Sequence, residues 1–489
     1  MPAVAVSHDY QRQRPRPGPR PGRVAPSLVS PSGRSPKRAG PTREQRQSGM
    51  AYLGFLGALI LLGVLGWLFD NQTSTVSVAT QEPAQVLGTV ETAAPTPDSV
   101  AAAVAPTSTP STTVAPTTST STSTTTSTST STIPLSDREL ARVDSVFGDI
   151  APKSVTSVGN GLFFAQNMMY RHTVTVYDDE GSLLKTINDQ VDFADFGRPE
   201  LGVARGSPVE AAATSDGSFV YVSNYAMYGA AFGAEPNDQC GDTGWDNSFL
   251  YRVDTATLEV DQVIEVGAVP KFLAVSPDDR WIVVSNWCSF DASIIDTQLG
   301  KEVARIDMGR HPRGVAISSD SSTAYVTQMG GTDIAKISLD GFESADAGFF
   351  GGFVGYWSST PASAEPDIEW LTDIGRGPRS VILSPDNATL FVTLNGEGTV
   401  VKVDADTGEV LETVRTGDAP RSMAISTDGE ALYVVNYNSD TLSKILTDTF
   451  EEVQELQVAD KPIGITVDEA SSDVWVSAYS GVLQIFEDQ

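Results

Sequence analysis

Five basic side chains of this chain each follow a proline directly, and they are its strongest candidates for binding chemistry. If the fold gathers them, they form a positive patch that focuses the field on an anionic ligand. The alternative is that each cation pairs with a carboxylate or carbonyl of a neighbouring segment. The residues are Lys153, Lys271, Arg313, Arg379 and Arg421.

Candidates for catalysis or metal binding are fewer. His172 and His311 could form a proton-transfer pair, but no nucleophile motif, glycine-rich phosphate loop or metal-ligand cluster accompanies them. Oxygen ligands for Ca²⁺ are available from Asp238, Asp242 and Asp246, although their spacing lacks the alternation of a calcium loop. The residues therefore favour a binding module without a cofactor. The alternative is a hydrolase or lyase that uses the two histidines and a divalent ion.

A proline-marked repeat positions these residues. Three of its six intervals are 42 residues long, and the others are 56, 62 and 66, so whole insertions interrupt a fixed period. A period near 40 with strand-like content predicts propeller blades of four short strands. The chain is therefore predicted to be all-β, with a seven-bladed β-propeller. The marker residues are Pro152, Pro208, Pro270, Pro312, Pro378, Pro420 and Pro462.

Each repeat carries the same local signals. In "VPKFLAVSPDDRWIVVSN" (269–286) a short β-prone run leads to a Ser-Pro-Asp turn, and a second run rich in Val and Trp follows. The blocks "VYVSN", "IVVSN", "AYVTQ", "LFVTLN" and "LYVVN" end the second runs. Turns such as Asp-Thr-Gly in "TVVKVDADTGEVLETVRTG" (399–417) separate two further strands.

These blocks resemble the YVTN-type β-propeller repeats of surface-layer and other extracytoplasmic bacterial proteins, over roughly residues 150–489. The resemblance implies that each proline begins the innermost strand of a blade, on the face called top. The five basic residues would then surround the top mouth of the central channel. Such propellers serve as binding platforms, accessory subunits and occasional enzymes, so the likeness indicates the fold and not the function.

The two ends of the repeat region complement each other. Only 28 residues run from Pro462 to the C-terminus, which is 14 short of a full repeat. Residues 138–148 resemble a closing strand, and we expect them to complete the last blade. Closure of this kind removes exposed strand edges.

Two insertions carry distinctive residues. Residues 225–248 form a predicted top loop that holds Cys240, and Cys288 lies in the equivalent loop of the next blade. We expect a disulfide between them, since an even cysteine count outside the cell indicates pairing. An aromatic insertion at 342–367, containing Phe349, Phe350, Phe353, Tyr356 and Trp357, is expected at the bottom face as local packing or as a partner or glycan site.

The N-terminal third predicts a membrane protein. Residues 1–49 contain ten Lys and Arg against two acids and should be a disordered cytoplasmic tail. Residues 50–69 carry no charge and span about 30 Å as a helix, enough for one transmembrane segment. Residues 70–136 form a Ser/Thr-rich disordered stalk. The basic flank places the N-terminus inside, so the propeller, residues 137–489, would lie outside the plasma membrane.

Charge limits the partners of the propeller. The chain has 32 basic and 62 acidic residues, which leaves 22 against 60 from residue 50 onward. This balance argues against binding to a nucleic-acid backbone. We expect a binding or scaffolding module for a protein or glycan of the envelope, or for another extracellular ligand.

Overall fold

Seven four-stranded antiparallel sheets and one small three-stranded sheet contain the strands of the described part of the chain. The computed structural model describes residues 138–233, 238–240, 244–340, 342 and 367–489. The predicted tail (1–49), membrane segment (50–69) and stalk (70–136) lie outside these residues. Within the described ranges no helix is long and apolar enough to cross a membrane.

The strands occur in blade order along the chain. Blade 1 consists of β2 (Ser154–Ser157), β3 (Phe163–Asn167), β4 (Thr173–Tyr177) and β5 (Leu183–Asn188). Blade 2 consists of β8 (Pro208–Ala213), β9 (Phe219–Asn224), β11 (Ser248–Asp254) and β12 (Glu259–Val266). Blade 3 consists of β13 (Pro270–Val275), β14 (Trp281–Asn286), β15 (Asp291–Asp296) and β16 (Lys301–Asp307). Blade 4 consists of β17 (Pro312–Ile317), β18 (Thr323–Gln328), β19 (Ile334–Ser338) and β20 (Ile368–Leu371).

The remaining blades repeat this plan. Blade 5 consists of β21 (Pro378–Leu383), β22 (Thr389–Leu394), β23 (Thr399–Asp404) and β24 (Val410–Arg415). Blade 6 consists of β25 (Pro420–Ile425), β26 (Ala431–Asn436), β27 (Thr441–Leu446) and β28 (Glu452–Gln457). Blade 7 consists of β29 (Pro462–Val467), β30 (Val474–Ala478), β31 (Val482–Asp488) and the N-terminal β1 (Leu140–Phe147).

The first strand of each blade is innermost, because each one contacts the first strands of both neighbouring blades. These seven strands surround a central channel, and the face at which they begin is called the top face below. The ring closes as predicted from the missing strand: β1 pairs antiparallel with β31, from Leu140 opposite Asp488 to Phe147 opposite Val482. A stacked pair, Phe163 and Trp475 with ring centroids 3.9 Å apart, joins blades 1 and 7.

Side chains explain why the predicted turns form. In blade 3, Ser276 Oγ donates to Asp278 Oδ1 at 2.5 Å, and the amide of Arg280 donates to the same carboxylate oxygen. The amide of Trp281 donates back to Ser276 Oγ at 2.8 Å. The same Ser-x-Asp arrangement recurs in blades 4, 5 and 6. This local bonding satisfies backbone groups that the bend removes from the sheet.

The start of the innermost strand is irregular in most blades. In five blades the residue before the proline has a positive φ, namely Val269, His311, Gly377, Ala419 and Lys461. The pairing register then shifts within the next few residues of the strand. Bulges of this type redirect side chains, here those that follow the prolines.

The insertions occupy defined places. Between blades 1 and 2 lie two 3-10 turns (Phe193–Phe196 and Pro199–Leu201) and the short strands β6 (Gln190–Asp192) and β7 (Val203–Arg205). β7 also pairs with β10 (Tyr228–Gly229), which belongs to the loop between β9 and β11. The aromatic insertion of blade 4 falls between β19 and β20, and its residues 343–366, with the five aromatic residues named above, lie outside the described part.

Candidate functional site

The five predicted basic residues, called the cation cluster below, meet inside the ring. Lys153, Lys271, Arg313 and Arg379 are only 4 to 8% exposed, although cations of this kind are rarely buried without partners. Arg421 is half-buried. Each follows the proline of its own blade, so blades 1, 3, 4, 5 and 6 contribute one cation each. Val209 and Ile463 take the same position in blades 2 and 7 and are fully buried.

One carboxylate oxygen serves two members of the cluster. Glu210 Oε1 lies 2.5 Å from Lys153 Nζ and 3.4 Å from Arg313 Nη2. These residues belong to blades 1, 2 and 4, and blades 2 and 4 are not neighbours in the ring. They can therefore meet only across the central channel.

A second carboxylate reaches the cluster from the long top loop. Asp238 Oδ1 lies 2.7 Å from Lys271 Nζ and also accepts from the hydroxyl of Tyr225 at 3.2 Å. The predicted disulfide is present between Cys240 and Cys288, with the two Cα atoms 5.1 Å apart. It ties the segment of Asp238 to blade 3, and the indole nitrogen of Trp287 donates to the carbonyl of Asp238 at 2.9 Å.

The other two arginines have no carboxylate within ion-pair distance among the described residues. Arg379 Nη1 contacts the sulfur of Met329 at 3.5 Å. Arg421 lies over the ring of Tyr437, 3.6 Å from its centroid, in a cation–π contact. Arg313 Nη1 and Arg421 Nε are buried without a hydrogen-bond partner in the described part of the chain.

A collar of large side chains surrounds the cations. Its members are the residues directly after the second strands: Tyr225, Trp287, Met329, Tyr437 and Tyr479. The amide of each donates to the carbonyl of the residue before the proline of its own blade, at 2.7 to 3.1 Å. This bond fixes the collar beside the cation cluster. Lys271 Nζ, for example, lies 4.3 Å from the ring centroid of Tyr225 and 5.5 Å from that of Trp287.

Burial dominates the electrostatics of the cluster. It lowers the pKa of Lys153 to about 7, against the opposing attraction of Glu210. It lowers the pKa of Lys271 to about 8, and Arg313 and Arg379 add repulsion in both cases. Burial and the neighbouring arginines hold the pKa of Arg379 well below its usual range. Within the described residues the site thus holds five basic groups and two carboxylates, a difference of three.

The two predicted histidines pack in separate places on the top face. His172 Nδ1 lies 2.9 Å from the carbonyl oxygen of Gly206, and its ring contacts Tyr228 edge-on. His311 stacks on Trp287 with centroids 4.2 Å apart, beside the disulfide, and burial lowers its pKa. The structure gives both rings packing roles, and a proton-transfer pair stays an untested prediction.

The three aspartates suggested for Ca²⁺ have different surroundings. Asp238 binds Lys271, and Asp246 accepts from the amide of Gly233 at 2.5 Å. Asp242 lies outside the described residues. In the described ranges, one group of acids is close enough to share an ion, namely Asp178, Asp179 and Glu180 in the exposed turn after β4.

Sequence reasoning missed Glu210 and the collar. Glu210 follows Val209 in one of the two blades that lack a basic residue after the proline. An acidic residue close to a position that is basic in five other blades could have indicated an ion pair. The collar could have been found from the residue after each "VSN" or "VVN" block, which is aromatic at Tyr225, Trp287 and Tyr437.

Comparison with known proteins supports the fold. No protein-family model matches the chain, and no curated protein sequence matches it. Among solved structures, it is similar to Kuenenia stuttgartiensis hydrazine synthase, with a TM-score of 0.51 and 17% identity over 70% of this chain and 97% of that one. It is also similar to the WD40 β-propeller domain of Doa1, with a TM-score of 0.52 and 11% identity over 72% of this chain and 97% of that domain. At these identities the likeness shows the fold alone: the protein is a β-propeller.

Proposed function

We propose that this protein is a membrane-anchored extracytoplasmic β-propeller that binds the carboxylate group of a partner protein at the top mouth of its channel. The observation that carries the proposal is the charge imbalance of the cation cluster. Five basic groups come from five blades, but only Lys153, Arg313 and Lys271 pair with a carboxylate of the described residues, Glu210 or Asp238.

Uncompensated buried cations are costly unless a ligand supplies the missing charge. Arg313 has one guanidinium nitrogen without a partner, and Arg379 has only a thioether contact among the described residues. A carboxylate entering between them would receive charge-assisted, forked hydrogen bonds. The ligand would thus complete an electrostatic arrangement that the protein alone leaves unfinished.

The shape of the site favours a small acidic group at the tip of a protein segment. The cations are nearly buried. A carboxylate at the end of a side chain or of a peptide can therefore reach them, whereas the flat surface of a polymer cannot. The collar residues Tyr437, Tyr479 and Trp287 are half-buried and offer apolar faces to the atoms that carry the carboxylate. Aromatic residues around a buried polar centre are typical of protein-binding hot spots.

The cellular setting of this proposal comes from the sequence. We propose that residues 50–69 anchor the chain in the plasma membrane, with the basic N-terminus cytoplasmic, and that residues 70–136 hold the propeller away from the surface. The YVTN-like repeats support an extracytoplasmic propeller, and the disulfide fits an oxidising compartment.

The test measures anion binding by the full-length protein in detergent. Peptides ending in Asp or Glu, their amidated Asn or Gln counterparts and an oligogalacturonate are titrated at pH 6.5 by calorimetry. The acidic peptides should bind, and Arg379→Gln should weaken them at least tenfold. Arg376→Gln is the matched control, because Arg376 is three residues away and its side chain is 75% exposed. Equal affinity for acidic and amidated peptides would overturn the proposal, and preference for the saccharide would reassign the partner.

A further inference from the structure

The outermost strands of four neighbouring blades expose apolar side chains at a repeated bulge. In blades 1, 5 and 6 the pairing of the fourth strand with the third skips one residue, which is therefore an extra residue in the strand. β1 of blade 7 contains an extra residue of the same kind. These four residues are 41 to 50% exposed and are called the apolar arc below: Leu184, Leu411, Val453 and Val143. Leu183 and Phe147, on two of the same strands, are exposed as well.

Blades 2 and 3 contain the same bulge without an exposed apolar side chain. Their extra residues are Asp261 and Val303. Asp261 accepts two hydrogen bonds from the guanidinium of Arg252, both at 2.8 Å, and Val303 packs against the buried core between blades 3 and 4. Bulges and charged side chains protect the open edge of a sheet, whereas an exposed Leu or Val does not. Edge protection therefore explains the bulges but not the apolar arc.

The members of the apolar arc lie on blades that follow one another around the ring. The first strands of blades 5 and 6, of 6 and 7, and of 7 and 1 contact each other. The outer strands of blades 6 and 7 are also joined, because the amide of Leu140 donates to Gln454 Oε1 at 2.8 Å and Gln454 Nε2 donates back to the carbonyl at 3.0 Å. In the turn before β5, a Cβ at Gly181 would lie 2.8 Å from the side chain of Val146 in β1. Scattered exposed apolar residues need no explanation, but a series on adjoining strands is typical of an interaction surface.

Acidic residues dominate the strands and turns that carry the apolar arc. Segments 139–147, 178–188, 409–415 and 451–457 together contain ten Asp and Glu against three Lys and Arg. Burial, with added repulsion from Glu455, raises the pKa of Glu452 beside Val453. The surface around the apolar side chains is therefore negative.

We propose that the apolar arc is a docking surface for a segment of a partner protein in which Lys or Arg residues stand next to aliphatic residues. Charge complementarity selects this occupant, because a second copy of the chain would place the same acidic segments against each other. An anionic membrane surface would be repelled for the same reason. The arc lies on outermost strands and the cation cluster on innermost strands, so this surface is separate from the proposed carboxylate site.

The test uses the full-length protein in nanodiscs of zwitterionic lipid and a fluorescent peptide of alternating Lys and Val. Two counterpart peptides have Glu in place of every Lys or Ser in place of every Val. Anisotropy titrations should show the Lys/Val peptide binding at least about tenfold more tightly than either counterpart, with an affinity that falls as salt is added. Hydrogen exchange of segments 409–415 and 451–457 should slow in the complex.

Substitutions in the arc separate it from general attraction to an acidic protein. The double variant Leu411→Thr, Val453→Thr should weaken the Lys/Val peptide at least about fivefold, and both side chains are exposed, so the fold should be kept. Leu299→Thr is the matched control, because Leu299 is similarly exposed but lies in the turn between β15 and β16 of blade 3.

Three results would overturn the proposal. The first is equal affinity for the Lys/Val and Lys/Ser peptides, and the second is an unchanged affinity in the double variant. The third is a dimer, seen by mass photometry, that the double variant dissociates, since the arc would then join two copies of the chain.

Discussion

Asp238 and Lys271 form an ion pair at the top mouth of the channel, with 2.7 Å between Oδ1 and Nζ. The side chain of Lys271 is 10% exposed and that of Asp238 is 67% exposed, so the carboxylate caps a buried cation from the solvent side. Lys271 lowers the pKa of Asp238 even though burial opposes this shift. Asp238 stands two residues before Cys240, so the disulfide holds the cap in place.

Loss of the disulfide should therefore increase anion binding while it decreases stability. In the double variant Cys240→Ser, Cys288→Ser, the 48-residue separation predicts a loss of about 4 kcal/mol in the free energy of unfolding. Release of Asp238 removes a competing anion worth about 1 kcal/mol, so affinity for an acidic peptide should rise about fivefold. Denaturant titration and calorimetry measure the two effects.

The variant Asp238→Asn separates the effect of the Asp238 carboxylate from the effect of the disulfide. It keeps the covalent link, so it should raise anion affinity by the same factor without the large loss of stability. An unchanged affinity in Asp238→Asn would show that this carboxylate does not compete with ligands.

Anion binding should weaken as the pH rises through the lowered pKa values of the two lysines. Lys153 and Lys271 titrate at about 7 and about 8 because burial disfavours their charged forms. A bound carboxylate favours the charged forms, so binding takes up protons and affinity should fall at least about tenfold between pH 6 and pH 9. Calorimetry in buffers of different ionisation enthalpy measures the proton uptake, and a pH-independent affinity would contradict this account.

The same two lysines affect stability with a definite sign. Their folded-state pKa values lie below the unfolded value, so between about pH 7 and pH 10.5 the unfolded chain binds more protons. Their contribution therefore makes the protein more stable as the pH rises through this window. Lys153→Met should flatten the pH dependence of the free energy of unfolding, whereas the exposed Lys301→Met should not.

The repeat made much of this architecture predictable. Six of the seven prolines begin innermost strands, whereas β2 begins two residues after Pro152. The strand missing after Pro462 is supplied by β1, and Cys240 and Cys288 are joined. These features follow from local turn chemistry and from the fixed order of strands in a blade, which a single sequence displays. Glycines before the prolines also have a local reason: a side chain at Gly267 would collide with Asn286, and one at Gly417 with Asn436.

The balance of positive and negative charge at the candidate site could not be predicted from the sequence in the same way. Nothing local to Lys153 or Arg313 indicates that both share Glu210, because the blades concerned meet only when the ring is complete. Charge compensation is a property of tertiary structure, and the repeat pattern carries no information on it.

A buried ion pair joins blades 6 and 7 beside the pairing of β1 with β31 that closes the ring. Lys444 is fully buried, and its Nζ lies 2.7 Å from Asp488 Oδ1 and 3.0 Å from the carbonyl of Arg138. Because removal of one partner leaves an uncompensated buried charge, Asp488→Ala should lower the free energy of unfolding by about 3–5 kcal/mol. Denaturant titration measures this loss. Glu487→Ala is the neighbouring control and should cost under about 1 kcal/mol.

The residues before the prolines offer a test of backbone strain at the channel mouth. Ala419 and Gly377 occupy equivalent positions in blades 6 and 5, with φ of 58° and 68°. A left-handed conformation costs about 1–2 kcal/mol for a residue with a Cβ, and a methyl group at Gly377 would meet no atom closer than 3.4 Å. Gly377→Ala should therefore destabilise the protein by about 1 kcal/mol through strain alone. The reciprocal Ala419→Gly should stabilise it by about 0.5 kcal/mol, since the strain released exceeds the added chain entropy of glycine. A lower denaturant midpoint for Gly377→Ala and a smaller upward shift for Ala419→Gly, both at constant m-value, would confirm that strain is the cause. Destabilisation by both changes would instead show that side-chain packing, and not the dihedral angle, determines which residue is tolerated there.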